Sequence, residues 1–387
     1  MKIGLGLSLT GMQRRRDTPF NPAALFASGE QGVWLDPDDP ATLFSDTAGT
    51  TQAGIGDPVA LALSKDKGLV LGPEGNRDPD FDDPSLWTAP GEWMVSEGSA
   101  SITNSSAGFN LRDAALVPVP GRFYEVTVTI ASITSGLLGI FENGANNSTT
   151  LPASPGTYQR LILVGSGATI IALRPSGTGV TASVSFFSVR ELPGNHATQP
   201  TLASRPILRE ADGLRYLEFD GVDDSLVTPT ITPGTDKVQV FAGVRKLSDA
   251  LGNVCELSPD VATHNGSLLL VSLGVSGYRF SSRSTNRQNA NSEAQTVPIT
   301  NAITALGDIS GSLAALRIDG TQAAQVVNNQ GTGNYLAYPL NIGSRNGASQ
   351  FLNSHIYSLI TRFGDNLDTA TIARTEGYVA QRTGVSL

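Results

Sequence analysis

Residues 217–226 read LEFDGVDDSL, and this stretch decides the fold. Leu217 and Phe219 alternate with Glu218 and Asp220, so two apolar side chains share one face of a half-buried strand. Gly221 lets the backbone reverse, and Leu226 lies in the start of a second strand. Asp220, Asp223 and Asp224 crowd the turn, where carboxylates can accept backbone N–H groups that no ladder partner satisfies.

Outward from this stretch the same signature recurs. Short apolar runs at 238–244, 267–273, 314–318 and 340–342 read as strands, and 42 Gly and 22 Pro punctuate a chain in which charge is sparse. The expectation is an all-β protein. With 387 residues there is room for two or three domains, each with its own core. The single cysteine, Cys255, excludes an intramolecular disulfide framework and a cysteine-based structural zinc site. A net charge of −9 without a basic stripe argues against a nucleic-acid partner. The apolar run at the start is short, interrupted by glycine and followed by Arg14, Arg15 and Arg16, unlike a secretory leader. No run of about 18 apolar residues occurs, so no membrane insertion is expected.

At the N-terminus Ile3, Leu5, Leu7 and Leu9 alternate with glycine and serine, a strand pattern with one nearly bare face. It fits either an edge strand of the main domain or an assembly arm donated to a neighbouring subunit. Asn21, Pro22 and Gly29 bracket a short helix as N-cap, first residue and stop. Residues 32–68 follow, GVWLDPDDPATLFSDTAGTTQAGIGDPVALALSKDKG, and residues 194–199 read GNHATQ. Together with LEFDGVDDSL they resemble laminin-G-like modules of the concanavalin A-like lectin and glucanase superfamily, as found in bacteriophage structural proteins. In those modules an Asp-Lys-Ser-Gly loop runs directly into Gly-Asn-His-Ala-Thr-Gln. Here the two halves, 64–68 and 194–199, are far apart in sequence. About 125 residues therefore interrupt one surface loop, which is tolerable because loop closure costs grow only logarithmically with length.

The expected organisation is an N-terminal anchoring arm at 1–32, a concanavalin A-like β-sandwich from 33–68 and 194–387, and an inserted domain at 69–193. The insert opens on a Gly/Pro/Asp linker at 69–80. Tyr124, Val126, Val128 and Ile130 then alternate with polar residues as one antiparallel strand, and three more strands follow around 158–164, 169–173 and 182–189. An early Trp pair, this Tyr-x-Val-x-Val strand and a closing SFFSVREL strand resemble jelly-roll carbohydrate-binding modules. Trp87 and Trp93 are then candidate glycan-stacking platforms, with the sandwich core as the competing location. The chain closes on a strand and a helix, with Asp368 as N-cap, Leu367 and Ile372 as a hydrophobic staple and Gly384 as the stop.

Catalysis finds little support. Glucanases of this superfamily carry Glu-x-Asp-x-x-Glu or Glu-x-Asp-x-Glu on one strand face; Glu218 and Asp220 fit its first half, but Asp223 follows a glycine turn where the third carboxylate belongs. Asp220, Asp223 and Asp224 are candidate calcium ligands, since a hard cation takes several oxygens and some relatives carry calcium; the alternative is a hydrogen-bonded turn. Asp36, Asp38 and Asp39 read as a second such turn beside Pro37 and Pro40. His196, His264 and His355 show no zinc-binding spacing. The polar segment 281–295 reads as an exposed loop or polar strand connection suited to recognition.

The resemblance implies a non-enzymatic virion structural protein at the phage surface: a tail fibre, spike or adhesin that recognises host-surface glycan. Its arm would contact other virion proteins, as a homo-oligomer with a trimer in view. A non-binding decoration protein and a glycan hydrolase are the competing readings, and no cofactor beyond calcium is expected.

Overall fold

The computed structural model describes residues 20–106, 108–144, 148–275 and 277–387. The arm strand with Ile3, Leu5, Leu7 and Leu9 lies outside these residues. The described chain is almost entirely β, with one α-helix, Thr369–Thr383. Its strands form two sandwiches.

The larger sandwich stacks an eight-stranded sheet on a nine-stranded one. In the first, the order is Ile207–Ala211, Leu214–Asp220, Asn353–Phe363, Lys237–Lys246, Ile299–Asp308, Leu313–Ile318 and Thr321–Val327. Gln31–Leu35 also pairs with Asn353–Phe363, running antiparallel from Gln31 opposite Phe363 to Leu35 opposite Leu359. The second sheet is ordered Leu43–Phe44, Leu61–Ala62, Ala197–Thr198, Leu226–Ile231, Tyr338–Ile342, Gly252–Leu257, Ser267–Ser272, Tyr278–Arg283 and Arg287–Asn291.

LEFDGVDDSL is therefore a crossing between layers. Leu214–Asp220 belongs to one sheet and Leu226–Ile231 to the other, yet Leu217, Phe219 and Leu226 all enter the same core. Gly221 sits at φ 79°, a backbone state that a Cβ disfavours. Of the two readings of the polar segment 281–295, the polar strand connection fits: it runs through the ends of the strands Tyr278–Arg283 and Arg287–Asn291. Phe280 and Ala290 face inward, and the buried Ser281 and Ser282 hydroxyls are satisfied by Asn289 and Gln330, both at 2.6 Å. Polar strands of this kind escape a search for apolar alternation.

The helix covers the outer face of the eight-stranded sheet. Asp368 Oδ1 accepts the Thr371 amide at 2.6 Å, and Gly384 closes the helix at φ 71°. Tyr378, Val379 and Ala380 pack on Phe241, Ala302 and Ile360, with Leu367 and Ile372 alongside. The 3-10 turn Pro22–Phe26, capped by Asn21, adds Leu25 and Phe26 to this second apolar layer, and Trp34 joins it from the strand Gln31–Leu35. Gly243 lets the helix approach: a Cβ there would lie 2.4 Å from Thr383 Cγ2.

The smaller sandwich pairs a five-stranded sheet, centred on Phe123–Ser135 and Thr181–Leu192, with the three strands Ser148–Thr150, Leu138–Glu142 and Ile171–Pro175. Its core runs from Phe81 to Val189 in sequence, whereas the larger core draws on residues from Val33 to Ala62 and from Ala197 to Phe363. Leu61, Leu63, Phe123, Leu161 and Leu192 form a bridging cluster between them.

Candidate functional site

A cleft of about 470 Å³ opens beside the helix, walled by Phe20, Trp34 and Tyr378 and by Asp36, Lys65 and Arg382. Four separate chain segments build it. Trp34 is placed by the strand Gln31–Leu35, where its amide donates to Ser64 Oγ at 2.9 Å and its carbonyl accepts from the Lys65 amide at 2.9 Å. Its ring meets Tyr378 edge-on at 6.1 Å, and the Lys65 ammonium lies 4.7 Å from the ring centre. The buried Trp34 Nε1–H finds no acceptor among the described residues.

Asp36 is the electrostatic centre of the cleft. Only 1% exposed, it accepts from Tyr378 Oη at 2.9 Å and Lys65 Nζ at 3.1 Å, and it lies 3.3 Å from Arg382 Nε. Lys65 also reaches Asp39 at 2.9 Å, and Arg382 reaches Asp38 at 2.5 Å. Burial works to lower the Arg382 pKa, but Asp36, then Tyr378 and Asp38, outweigh it and raise it. Burial pushes the Tyr378 phenol up, so it remains a hydroxyl donor. In the sequence Asp36, Asp38 and Asp39 read as a turn. Their partners come from residue 65 and the last helical turn, and no local spacing announces them.

Trp34 and Tyr378 are themselves 4% and 9% exposed, so the accessible ring is the half-buried Phe20; beside the charged hydrogen-bonding groups it suits a small polar ligand with an apolar edge, and the volume lies within the roughly 300–1,000 Å³ of small-molecule sites.

The acidic turn lies elsewhere. Asp220, Asp223 and Asp224 each present an oxygen within 4.8 Å of the others, the one such group among the described residues. Asp224 Oδ2 accepts the Asp220 amide at 3.0 Å, Asp220 Oδ1 accepts the Val222 amide at 2.7 Å, and Asp223 Oδ2 accepts Ser204 Oγ at 3.0 Å. Burial, reinforced by the neighbouring carboxylates, pushes the Asp224 pKa up to about 7. The donor set is all oxygen, which suits calcium, but each carboxylate already serves the turn. Glu218 is held by Arg209 at 3.2 Å while Asp220 caps the turn, so the pair is engaged structurally.

Trp87 and Trp93 require a correction. Both are buried in the smaller core, 8% and 4% exposed. Trp87 packs on Phe81 at 4.6 Å and donates to Asp78 Oδ2 at 2.9 Å, while Trp93 donates to the Phe109 carbonyl at 3.1 Å. Neither ring offers a face to a sugar. The hydrogen bonds explain why: each indole satisfies its only polar atom inside the sandwich, so the whole side chain can be withdrawn from water.

His196 is fully buried at the junction of the sandwiches, its Nδ1 accepting the Ser64 amide at 3.0 Å and its ring edge-on to Phe123 at 4.9 Å. His355 stacks on Tyr216 at 4.0 Å. Among the described residues no helix is long and apolar enough to cross a membrane.

No protein-family model matches the chain, and no curated protein sequence matches it. Among solved structures it is similar to a chain of botulinum neurotoxin type C, in a study of cell entry dependent on two ganglioside molecules, at 12% identity and TM-score 0.35; the match covers 45% of each chain, so this protein spans less than half of that chain. It is also similar to the Ruminococcus gnavus IT-sialidase CBM40 bound to alpha2,3 sialyllactose, at 11% identity and TM-score 0.30, covering 36% of this chain and 83% of that one. A native heptameric SAP-like pentraxin from Limulus polyphemus matches at 10% identity and TM-score 0.33, covering 40% and 78%.

Proposed function

We propose that the chain is a non-enzymatic glycan-binding protein and that its sugar site is the Trp34–Tyr378 cleft. The observation that carries this reading is a cleft of about 470 Å³ in which Phe20, Trp34 and Tyr378 meet the Asp36, Lys65 and Arg382 network. A pyranose offers an apolar C–H face to Phe20 and hydroxyls to the charged groups. We further infer a place on the surface of a phage particle, as a tail fibre or spike that contacts host-surface glycan as an oligomer. That part rests on the resemblance of residues 32–68 and 194–199 to phage structural modules. On this reading residues 69–193 form an inserted module that packs beside the binding sandwich.

The test is a bacterial-surface glycan array, followed by saturation-transfer NMR on any hit. Phe20→Ala alters the partly exposed rim of the cleft and is expected to remove binding while leaving the melting temperature within a few degrees; Arg382→Gln is expected to remove binding and also to lower the melting temperature, because it takes a cation from the buried Asp36. Saturable binding that survives both variants would move the sugar site elsewhere. An absence of any sugar binding would favour a decoration protein. Gold-labelled antibody against residues 74–192 on purified virions tests location, and particles that carry no label overturn the virion reading.

A further inference from the structure

The outer face of the nine-stranded sheet carries three arginines without a counter-ion. Phe280 and Ala290 point into the core, so Arg279, Ser281 and Arg283 point outward, and the register sets Asn291, Asn289 and Arg287 directly opposite them. Arg283 and Arg287 thus face each other across the last two strands of the sheet, where like charges directly opposite are destabilising. Among the described residues no carboxylate pairs with any of the three: Asp260, in the loop that carries Val261, is held instead by Arg345 at 3.3 Å. Arg279 Nε donates to Asn291 Oδ1 at 2.7 Å, and Arg283 donates to the Val261 carbonyl at 3.0 Å and to the Ala262 carbonyl. Arg287 is exposed, with no partner among the described residues. Burial, then the Arg287 charge, lowers the Arg279 pKa. The asparagines complete a face of donors. Asn291 Oδ1 is engaged by Arg279 and Asn289 Oδ1 by Ser281 Oγ at 2.6 Å, so both amide NH2 groups are left to donate.

We propose that this face binds an acidic glycan, with the carboxylate of a sugar acid across Arg283 and Arg287 and its ring hydroxyls accepting from Asn289 and Asn291. An oxyanion supplies the negative charge that the arginine pair lacks in the fold, and a guanidinium takes a carboxylate in a bidentate geometry. The outward positions of the two strands hold no aromatic ring on which a base could stack, which disfavours nucleic acid. A net charge of −9 disfavours any densely charged chain and favours one whose carboxylates are spaced among neutral sugars. The site lies on the other sheet from the Trp34–Tyr378 cleft and does not depend on it.

The test is isothermal titration calorimetry on the full chain with a short hyaluronan oligosaccharide, which carries a carboxylate on alternate sugars, with its methyl ester, and with single-stranded DNA of equal charge. The oligosaccharide is expected to bind with an affinity that falls as salt rises, and the uncharged ester is not. Arg287→Gln should weaken binding roughly tenfold and leave the melting temperature equal or higher, because it ends the cross-strand repulsion. Asn291→Asp keeps the acceptor for Arg279 Nε but places a negative charge on the face, and should abolish binding with the fold intact. Phe20→Ala, at the other cleft, should leave binding unchanged; a loss there would assign the ligand to that cleft and overturn the proposal. Absence of oligosaccharide binding overturns it too, as do equal binding of the ester, tighter binding of the DNA, or binding that survives Arg287→Gln and Asn291→Asp.

Discussion

The Ser64 amide donates to His196 Nδ1 at 3.0 Å, joining residues 132 positions apart in sequence. Around this bond the segments 64–68 and 194–199 lie side by side. Asp66 Oδ1 accepts from Ser64 Oγ at 2.6 Å, Asn195 reaches the Gly32 carbonyl at 2.7 Å, and Ala197 pairs with Ala62. Residues 69–193 therefore begin and end beside one another.

That junction is acid-sensitive. Burial lowers the His196 pKa from 6.5 to about 4, so as pH falls the unfolded chain takes up the proton first. Its contribution is intact above about pH 6.5 and is lost as pH falls toward about 4; from about 6.5 to about 5 the loss is about 2 kcal/mol. Denaturant titrations across this range check it. His196→Phe should lower stability at neutral pH, through the lost acceptor for Ser64, and flatten this part of the pH dependence.

Asp224 titrates with the opposite sense. Its pKa is raised to about 7 in the fold, so its contribution is full below about 3.8 and is lost as pH rises through about 7. Asp224→Asn keeps an acceptor for the Asp220 amide and should raise the melting temperature more at about pH 8 than at about pH 5. If the turn holds calcium, millimolar calcium stabilises the wild type and not this variant. A wild-type melting curve indifferent to calcium removes the cation from the account.

Trp87→Ala should cost about 3–5 kcal/mol in the smaller sandwich, as loss of a buried aromatic does, and leave the Asp78 carboxylate without its indole donor. Hydrogen exchange is expected to rise across Phe123–Ser135 and Thr181–Leu192 and to stay level in Lys237–Lys246. Sugar affinity should not move. An intact core with lost sugar binding would restore Trp87 as a stacking platform.

Gly243→Ala should destabilise by about 1–3 kcal/mol, because the new methyl meets Thr383 Cγ2 at 2.4 Å and Val379 Cγ1 at 3.3 Å. Thr383→Ser removes the nearer atom. The double variant should therefore be more stable than the sum of the single changes implies, a coupling that thermal melts of the four proteins measure.

Much of the fold was legible because strand and cap signals are local. The alternation of Val126, Val128 and Ile130 marked a half-buried antiparallel strand, and Asp368 and Gly384 marked the helix ends. The strand Ile299–Asp308 and the pair Tyr278–Arg283 with Arg287–Asn291 were harder to see, since serine, asparagine and threonine take buried strand positions when hydrogen bonds satisfy them. The candidate cleft was not legible at all. Asp36 and Arg382 lie 346 positions apart, and their pairing follows from how the helix lies on the sheet.

By itself the sequence determined the β class, the helix with its caps, and the acidic turn at Asp220 to Asp224, because each depends on backbone preferences and periodicities that act over a few residues. Tertiary structure alone decided that LEFDGVDDSL crosses between sheets, that Trp87 and Trp93 are buried, and that Trp34, Asp36, Lys65, Tyr378 and Arg382 share a cleft. These depend on which distant surfaces exclude water together, and burial of that kind belongs to the packed molecule, beyond the reach of any short stretch of chain.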